Sequence, residues 1–253
     1  MGKVLGVVNQ KGGVGKTTST IELAAAFVAQ KKKVLVIDLD QQGNLSKYVD
    51  ADFTKPTIFD VLQAECATLD AIQRCGTFDV IASSKELSKA DRTFTEYQDL
   101  FLLEDVIKPI KDDYHFILID NGPSRSTLLT MAYVASDGIV IPSEADDGSI
   151  DGIWEVHNDL VKYRDGDHPV SHAKIELLLL NKYENTVMHQ NAKEQLEDIS
   201  AEISDSPLVE TIRKSIIASE SKSFRQSIQE YSPKNNAAED YRNVAKKLAR
   251  RMK

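Results

Sequence analysis

The chain has 253 residues, of which 42% are hydrophobic and 28% charged, and it carries a formal net charge of −8. That is enough apolar material for one large domain or two small ones, and it excludes a wholly disordered chain. No apolar run approaches the roughly 18 residues that a membrane helix needs, and the opening Met1-Gly2-Lys3-Val4-Leu5-Gly6-Val7-Val8 meets polar Asn9-Gln10 too soon for a secretory signal. Cys66 and Cys75 are the two cysteines and have no CxxC spacing, which suits a reducing compartment, so a cytoplasmic protein is expected.

In chain order, hydrophobic patterning predicts a strand over residues 4–9, a helix over 17–30 and a strand over 34–38. An irregular stretch follows over 54–99, read as a helical excursion that returns to the sheet through a strand over 78–82. The remainder alternates: helix 100–110, strand 116–120, helix 126–135, strand 138–142, helix 150–163, strand 175–181, helix 188–203, strand 208–212 and helix 240–252. Several strands are apolar on consecutive residues, as strands buried on both faces are. Strand alternating with helix implies right-handed crossovers and a doubly wound, mostly parallel β-sheet flanked by helices, an α/β fold. Without a repeat, low-complexity tract or Pro/Gly-rich linker, one domain over 1–253 is expected.

Charge is unevenly spread. Residues 211–253 hold eleven Lys or Arg against four Asp or Glu, a net +7, which leaves −15 on residues 1–210. An acidic body repels polyanions, so any nucleic-acid contact must use a local basic surface. A solvated basic C-terminal helix explains the same composition, and composition alone does not choose.

After the first predicted strand comes Lys11-Gly12-Gly13-Val14-Gly15-Lys16-Thr17-Thr18, directly before a helix. Glycines let successive backbone N–H groups turn toward phosphate oxygens, and the helix N-terminus adds partial positive charge. Lys16 supplies a full charge for the β- and γ-phosphates, and the Thr17 hydroxyl is placed for Mg²⁺. The standard GxxxxGK[ST] spelling fails, because Gln10 stands at its first glycine. A glycine-rich turn without ligand is the alternative.

This KGGVGKTT loop, preceded by Asn9-Gln10, resembles the deviant Walker-A ATPases and, within them, the ParA/Soj partition proteins. The resemblance spans nearly the whole chain. Its second block is Val34-Leu35-Val36-Ile37-Asp38-Leu39-Asp40-Gln41-Gln42-Gly43-Asn44, its third Phe116-Ile117-Leu118-Ile119-Asp120, and its last Tyr231-Ser232-Pro233-Lys234 with Ala237-Ala238-Glu239-Asp240-Tyr241. An acid at the carboxyl end of a parallel strand faces the crevice where such sheets bind ligands, and Asp120 suits Mg²⁺ held through water. The resemblance implies that Asp40 orients or activates the attacking water while Asp38 supports the metal; a capping carboxylate is the other reading of Asp38. It also implies that Lys11 reaches the partner's nucleotide across a two-fold dimer, like an arginine finger in trans, with Gly12 at the approach surface. A lysine without a role is the bland alternative. Asn181, ending the run Leu177-Leu178-Leu179-Leu180, falls at the family's place for adenine contact, although a strand-end cap fits it too; residues 207–210 are a further candidate stretch for the base pocket.

By the same resemblance the ATP-bound homodimer binds DNA without sequence preference, associates with the nucleoid and is stimulated by a ParB-like partner. Arg213, Lys214, Lys222 and Arg225 are the first candidates for DNA contact, and Lys246, Lys247, Arg250 and Arg251 the second. A MinD-like membrane role is the rival. Tyr241, Val244, Leu248 and Met252 fall on one helical face, but without Trp or Phe a packing face explains it better and no stable membrane association is expected. Two departures stand out: Asn121-Gly122-Pro123 where the family has Thr-Pro-Pro, expected to alter switching or basal rate, and Gln41 in place of proline. Cys66 and Cys75 lie far from any Walker-B loop, and the five histidines have no metal-ligand spacing. An ATP-dependent small-molecule ligase on the same core and a binding switch with negligible turnover remain as other readings.

Overall fold

The computed structural model describes residues 2–253 apart from the side chain of Asp147. Eight strands, β1 (Lys3–Val7), β2 (Val34–Asp38), β3 (Ile72–Cys75), β4 (Phe78–Ile81), β5 (Phe116–Asp120), β6 (Gly138–Ser143), β7 (Lys174–Tyr183) and β8 (Leu208–Arg213), form one sheet in the order β3-β4-β2-β5-β1-β6-β7-β8. Every neighbouring pair is parallel except the β3–β4 hairpin at the edge. The helices are α1 (Lys16–Ala29), α2 (Asn44–Tyr48), α3 (Ile58–Leu62), α4 (Thr68–Ala71), α5 (Ala90–Thr93), α6 (Leu102–Ile107), α7 (Thr127–Ala135), α8 (Asp147–Asp165), α9 (Val187–Glu202), α10 (Ile217–Ser223), α11 (Ile228–Tyr231) and α12 (Asn236–Arg251). The doubly wound, mostly parallel architecture expected from the alternation is the one observed.

Parity along the central strands divides the core. Val34, Val36, Phe116 and Leu118 point toward α1 and α12, while Leu35, Ile37, Ile117 and Ile119 pack against α3, α6 and α7 on the other face. Every residue of β2 and β5 is buried, which is why these strands read as unbroken apolar runs. The rings of Phe27 and Phe116 stack with centroids 4.0 Å apart, closing α1 onto the sheet. The apolar face of α12 is occupied by the protein itself: Tyr241, Val244, Leu248 and Met252 are buried in the cluster that contains α1. No helix among the described residues is long and apolar enough to cross a membrane.

Two sequence expectations change. The 54–99 stretch is not purely a helical excursion, since Ile72–Cys75 adds an antiparallel edge strand with Cys75 opposite Phe78. A two-residue turn joins them, with Gly76 at φ +57 supplying the left-handed backbone such hairpins need. The strand has four residues and is partly exposed, too short for a period to show. The helix expected over 100–110 is α-helical only over Leu102–Ile107, and 3₁₀ turns flank it. Pro109, which has no N–H, lies in the second of these turns.

Candidate nucleotide-binding site

The carboxyl ends of β1, β2 and β5 lie side by side, with Val7 opposite Asp120 and Asp38 opposite Asp120. The loop leaving β1 therefore runs over two buried carboxylates before it enters α1. Gly15 caps that helix at φ +90, and a Cβ there would come within 2.8 Å of the Asn181 amide nitrogen, so only glycine fits. Gly13 is also left-handed, at φ +84, and at Gly12 and Gly13 a Cβ would meet nothing within 4 Å. The ladder of α1 starts with Ser19 N donating to the Gly15 carbonyl at 2.8 Å. Among the described residues, no acceptor within the chain is found for the amides of Gly12, Gly13, Val14, Gly15, Lys16, Thr17 and Thr18. Seven donors without protein acceptors, at a helix N-terminus, suit a polyphosphate.

Lys16 is buried, and its ammonium donates to the Lys11 carbonyl at 2.7 Å. Burial holds its pKa below the usual lysine value, against the pull of Asp120 and Asp40. Thr17 Oγ1 donates to Asp120 Oδ2 at 2.7 Å, and the Thr20 hydroxyl lies 3.0 Å from both Asp120 Oδ1 and the Lys16 carbonyl. Asp38 accepts from Ser46 N at 2.9 Å, Ser46 Oγ at 2.7 Å and Asp40 N at 3.1 Å. Both of its oxygens thus act within the β2–α2 turn, behind the loop. Burial first, and then mutual repulsion, raises the pKa of Asp120; burial likewise raises that of Asp38. Two adjacent acids that resist ionisation are a natural seat for positive charge.

Asp40 is also buried, and its Oδ1 accepts from Gln42 N at 2.9 Å. It borders a cavity of about 260 Å³ together with Asn121, Gly122 and Arg125. A Cβ on Gly122 would lie 3.4 Å from Asp40 Oδ1, so the departure at this position brings bare backbone up to the carboxylate. Asn121 Nδ2 donates to the Val7 and Ile119 carbonyls at 3.3 and 3.2 Å, tying the end of β5 to β1.

Lys11 is half-buried and forms an ion pair with Asp146, the N-cap of α8. Partial burial works the other way, but the bonds from Lys11 and Ser149 hold the Asp146 carboxyl below the usual carboxylate range. Next to it, Gln10 Nε2 donates to Asp159 Oδ2 at 2.9 Å, and Arg125 Nε donates to Gln10 Oε1 at 2.8 Å.

On the other side of the loop a cavity of about 680 Å³ is bordered by Gly15, Thr18, Asn181, Arg213, Ile216 and Tyr241. Asn181 Nδ2 donates to the Val14 carbonyl at 2.8 Å, and its Oδ1 accepts from the Tyr241 hydroxyl at 3.5 Å. Residues 207–210, expected near the base, sit at the far end of β8. The parallel direction of that strand puts the segment after Ile212 beside the phosphate loop instead. The candidate DNA contacts are largely engaged. Arg213 pairs with Asp240 at 2.7 Å and Glu239 at 3.4 Å, Lys214 pairs with Glu184 at 3.0 Å, and Arg225 pairs with Asp50. Of the second set, Lys247 pairs with Glu210 and Arg251 with Glu176. Among the described residues Lys222, Lys246 and Arg250 have no such partner.

Hard oxygen donors, the Thr17 hydroxyl and Asp120, meet beside the free amides. No group of three or more His, Cys, Asp or Glu among the described residues forms a metal cage, so an ion here would be completed by phosphate and water, as Mg²⁺ prefers. The residues fit.

Strand, glycine loop, buried lysine and paired acids define a P-loop nucleotide site of the deviant Walker-A kind. A family profile described as an AAA domain matches residues 2–169. An uncharacterised protein of Pseudomonas putida is 34% identical over 100% of this chain and 97% of its own. The chromosome partitioning protein ParA of Caulobacter vibrioides is 29% identical over 98% and 94%. The sporulation initiation inhibitor protein Soj of Bacillus subtilis is 28% identical over 98% and 99%. Among solved structures, apo McdA from Cyanothece superposes with a TM-score of 0.85 at 18% identity, covering 98% of this chain and 99% of that one. Cobyrinic acid a,c-diamide synthase from Mycobacterium smegmatis with bound ADP and magnesium gives 0.82 at 22%, covering 99% and 95%; at such identities both likenesses speak for the fold. The chain belongs to the AAA-domain family and, within it, to the ParA/MinD-type P-loop ATPases.

Sequence reasoning missed Thr20, Ser46 and Asp146. The first lies one helical turn beyond Lys16 and was accessible from spacing; the others act through the fold and have no local signature.

Proposed function

We propose that the chain is a cytoplasmic, nucleoid-associated ParA-type ATPase acting as one nucleotide-binding domain over 1–253. ATP and Mg²⁺ build a homodimer that holds DNA without sequence preference, and a ParB-like partner on the cargo stimulates hydrolysis and release. The observation that carries this reading is the run of free amides from Gly12 to Thr18, set over Asp120, with Lys11 just before it and Lys16 within it in different surroundings. Lys16 is positioned inside the loop for the β- and γ-phosphates, whereas Lys11 lies at the exposed rim, where a second subunit approaches. Thr17 and Asp120 would hold Mg²⁺, whose charge offsets that of the phosphates; Asp38 supports them from behind by fixing the turn that carries Asp40. Asp40, beside a cavity with room for water, orients the attacking water and accepts its proton. Asn181 and Tyr241 border the space for the base.

DNA retention draws support from the +7 segment and from the partition names of the relatives. Arg213, Lys214 and Arg225 would exchange carboxylates for phosphates, and Lys222, Lys246 and Arg250 contact phosphate directly. A ligase role finds support only in a fold likeness at 22% identity. Phosphate release with MgATP, measured alone and with DNA plus a cargo-site-binding protein, tests the reading. Turnover that rises with both together is expected; no phosphate release under any condition counts against it.

A further inference from the structure

The segment that leaves β5 is tied down by side chains. Among the described residues, Gly122, Pro123, Ser124 and Arg125 take part in no hydrogen bond between main-chain groups. Asn121 fastens one end of the segment to β1. At the other end Arg125 Nε donates to Gln10 Oε1 at 2.8 Å, and Gln10 Nε2 donates to Asp159 Oδ2 at 2.9 Å. Arg125 Nη2 faces Asp159 Oδ1 at 3.7 Å. The Gln10 amide thus turns its acceptor to a cation and its donor to an anion. A guanidinium, a carboxamide and a carboxylate close a ring across the β1–α1 loop, the β5–α7 loop and α8. The Asp159 side chain is 19% exposed and that of Arg125 62%, so the carboxylate is the fixed anchor and the arginine the arm that reaches it. Between the two fastenings lies Gly122, whose bare backbone faces Asp40. Gly122, Arg125 and Asp40 all border the cavity of about 260 Å³.

We propose that Arg125 is a positioning residue for hydrolysis: by latching the β5–α7 loop to Gln10 and Asp159, it holds Gly122 and the cavity wall against Asp40. The proposal rests on the reading of Asp40 as the residue that orients the attacking water. An Asn-Gly step is conformationally free, and the residues that follow it have no backbone partners, so without the latch the cavity has no fixed shape. Arginine suits the task because its planar fork meets two acceptors at once. Misplacing a water-orienting group slows the chemical step, whereas ATP affinity is set by the free amides and Lys16. The latch therefore acts on turnover and leaves binding alone. Asp159 borders neither cavity of the site; it acts through Gln10 and Arg125.

The test is phosphate release by the full chain over a range of MgATP concentrations, beside a titration with a fluorescent ATP analogue. Arg125→Ala should lower kcat roughly 3- to 10-fold, the scale of one hydrogen bond and one exposed ion pair. Its KM and analogue affinity should stay within about 2-fold of wild type, as expected when only the chemical step loses an interaction. Asp159→Ala should also lower kcat, and Asp159→Asn replaces it if the alanine variant folds poorly. The double variant should fall no further than the worse single one, since both remove the same latch. Arg125→Lys keeps the charge without the fork and should recover part of the loss. Losses that multiply in the double variant overturn the latch, as does wild-type or raised turnover in Arg125→Ala. Weakened analogue binding in Arg125→Ala also overturns it, by making the guanidinium a phosphate ligand. A wild-type chain without turnover sinks the Asp40 reading and this proposal with it, whereas an active wild type matched by Arg125→Ala sinks the latch alone.

Discussion

The phosphate loop and the C-terminal segment are the two regions richest in positive charge for their role, and they use it in opposite ways. In the loop, Lys16 is buried against a carbonyl and the amides around it have no acceptor in the chain, while Lys11 alone is paired with a carboxylate, that of Asp146. In residues 211–253, much of the +7 is spent inside the fold. Arg213 bridges β8 to α12 through Asp240, while Lys247 and Arg251 bind Glu210 and Glu176 of the sheet. A net charge counted along the sequence is therefore not a surface potential, and the cations free of carboxylates are the better guide to polyanion binding.

The largest expected effect falls on the loop. Lys16→Ala should weaken ATP binding about 30-fold or more, the scale for removing one partner of a buried charged pair; a fluorescent-nucleotide titration reads it, and affinity within a few-fold of wild type would contradict the assigned role. Next comes Asp40→Ala, which should retain ATP and DNA binding but lower turnover by about 10²- to 10⁴-fold and trap dimers on size exclusion. Monomers in ATP would remove Asp40 from the water-orienting role.

Glu22 joins the two regions: in α1 and buried, it accepts from Ile228 N of α11 at 2.8 Å, and its second oxygen has no partner. Burial raises its pKa to about 8, from an ordinary value of 4.5. The folded state then holds a proton that the unfolded state has released, so stability falls as pH rises from about 4.5 to 8 and levels off above that. Glu22→Gln should remove this fall, gaining on the order of 3 kcal/mol relative to wild type at pH 9 compared with pH 5. Thermal melts at the two pH values check it, and an equal effect at both would contradict the raised pKa.

The smallest effects concern DNA. Lys246→Glu with Arg250→Glu should flatten the slope of log affinity against log salt by roughly 0.9 for each phosphate no longer neutralised, more than Arg213→Glu with Lys214→Glu, whose cations are already paired. A larger change from the second pair would restore the order in which the sequence ranks them.

Legibility followed locality. Strands over residues 34–38 and 116–120 read correctly to the residue because both faces are buried, and the phosphate loop was readable because its chemistry needs contiguous residues. The β3 edge strand is too short to show a period, and which end of β8 lies beside the phosphate loop follows from its parallel pairing with β7, which no spacing records. Asp146 reaches Lys11 only when β6 lies beside β1, a neighbour relation that no spacing records.

Complementation between two inactive variants tests the shared site most directly. Lys11→Ala and Asp40→Ala should each be nearly inactive alone. If Lys11 serves the partner's nucleotide, mixing them pairs an intact Asp40 with an intact Lys11 at one site per heterodimer, and turnover should recover to roughly a quarter of wild type, the share expected for random pairing. A mixture as inactive as its components, with heterodimers present, would contradict the account.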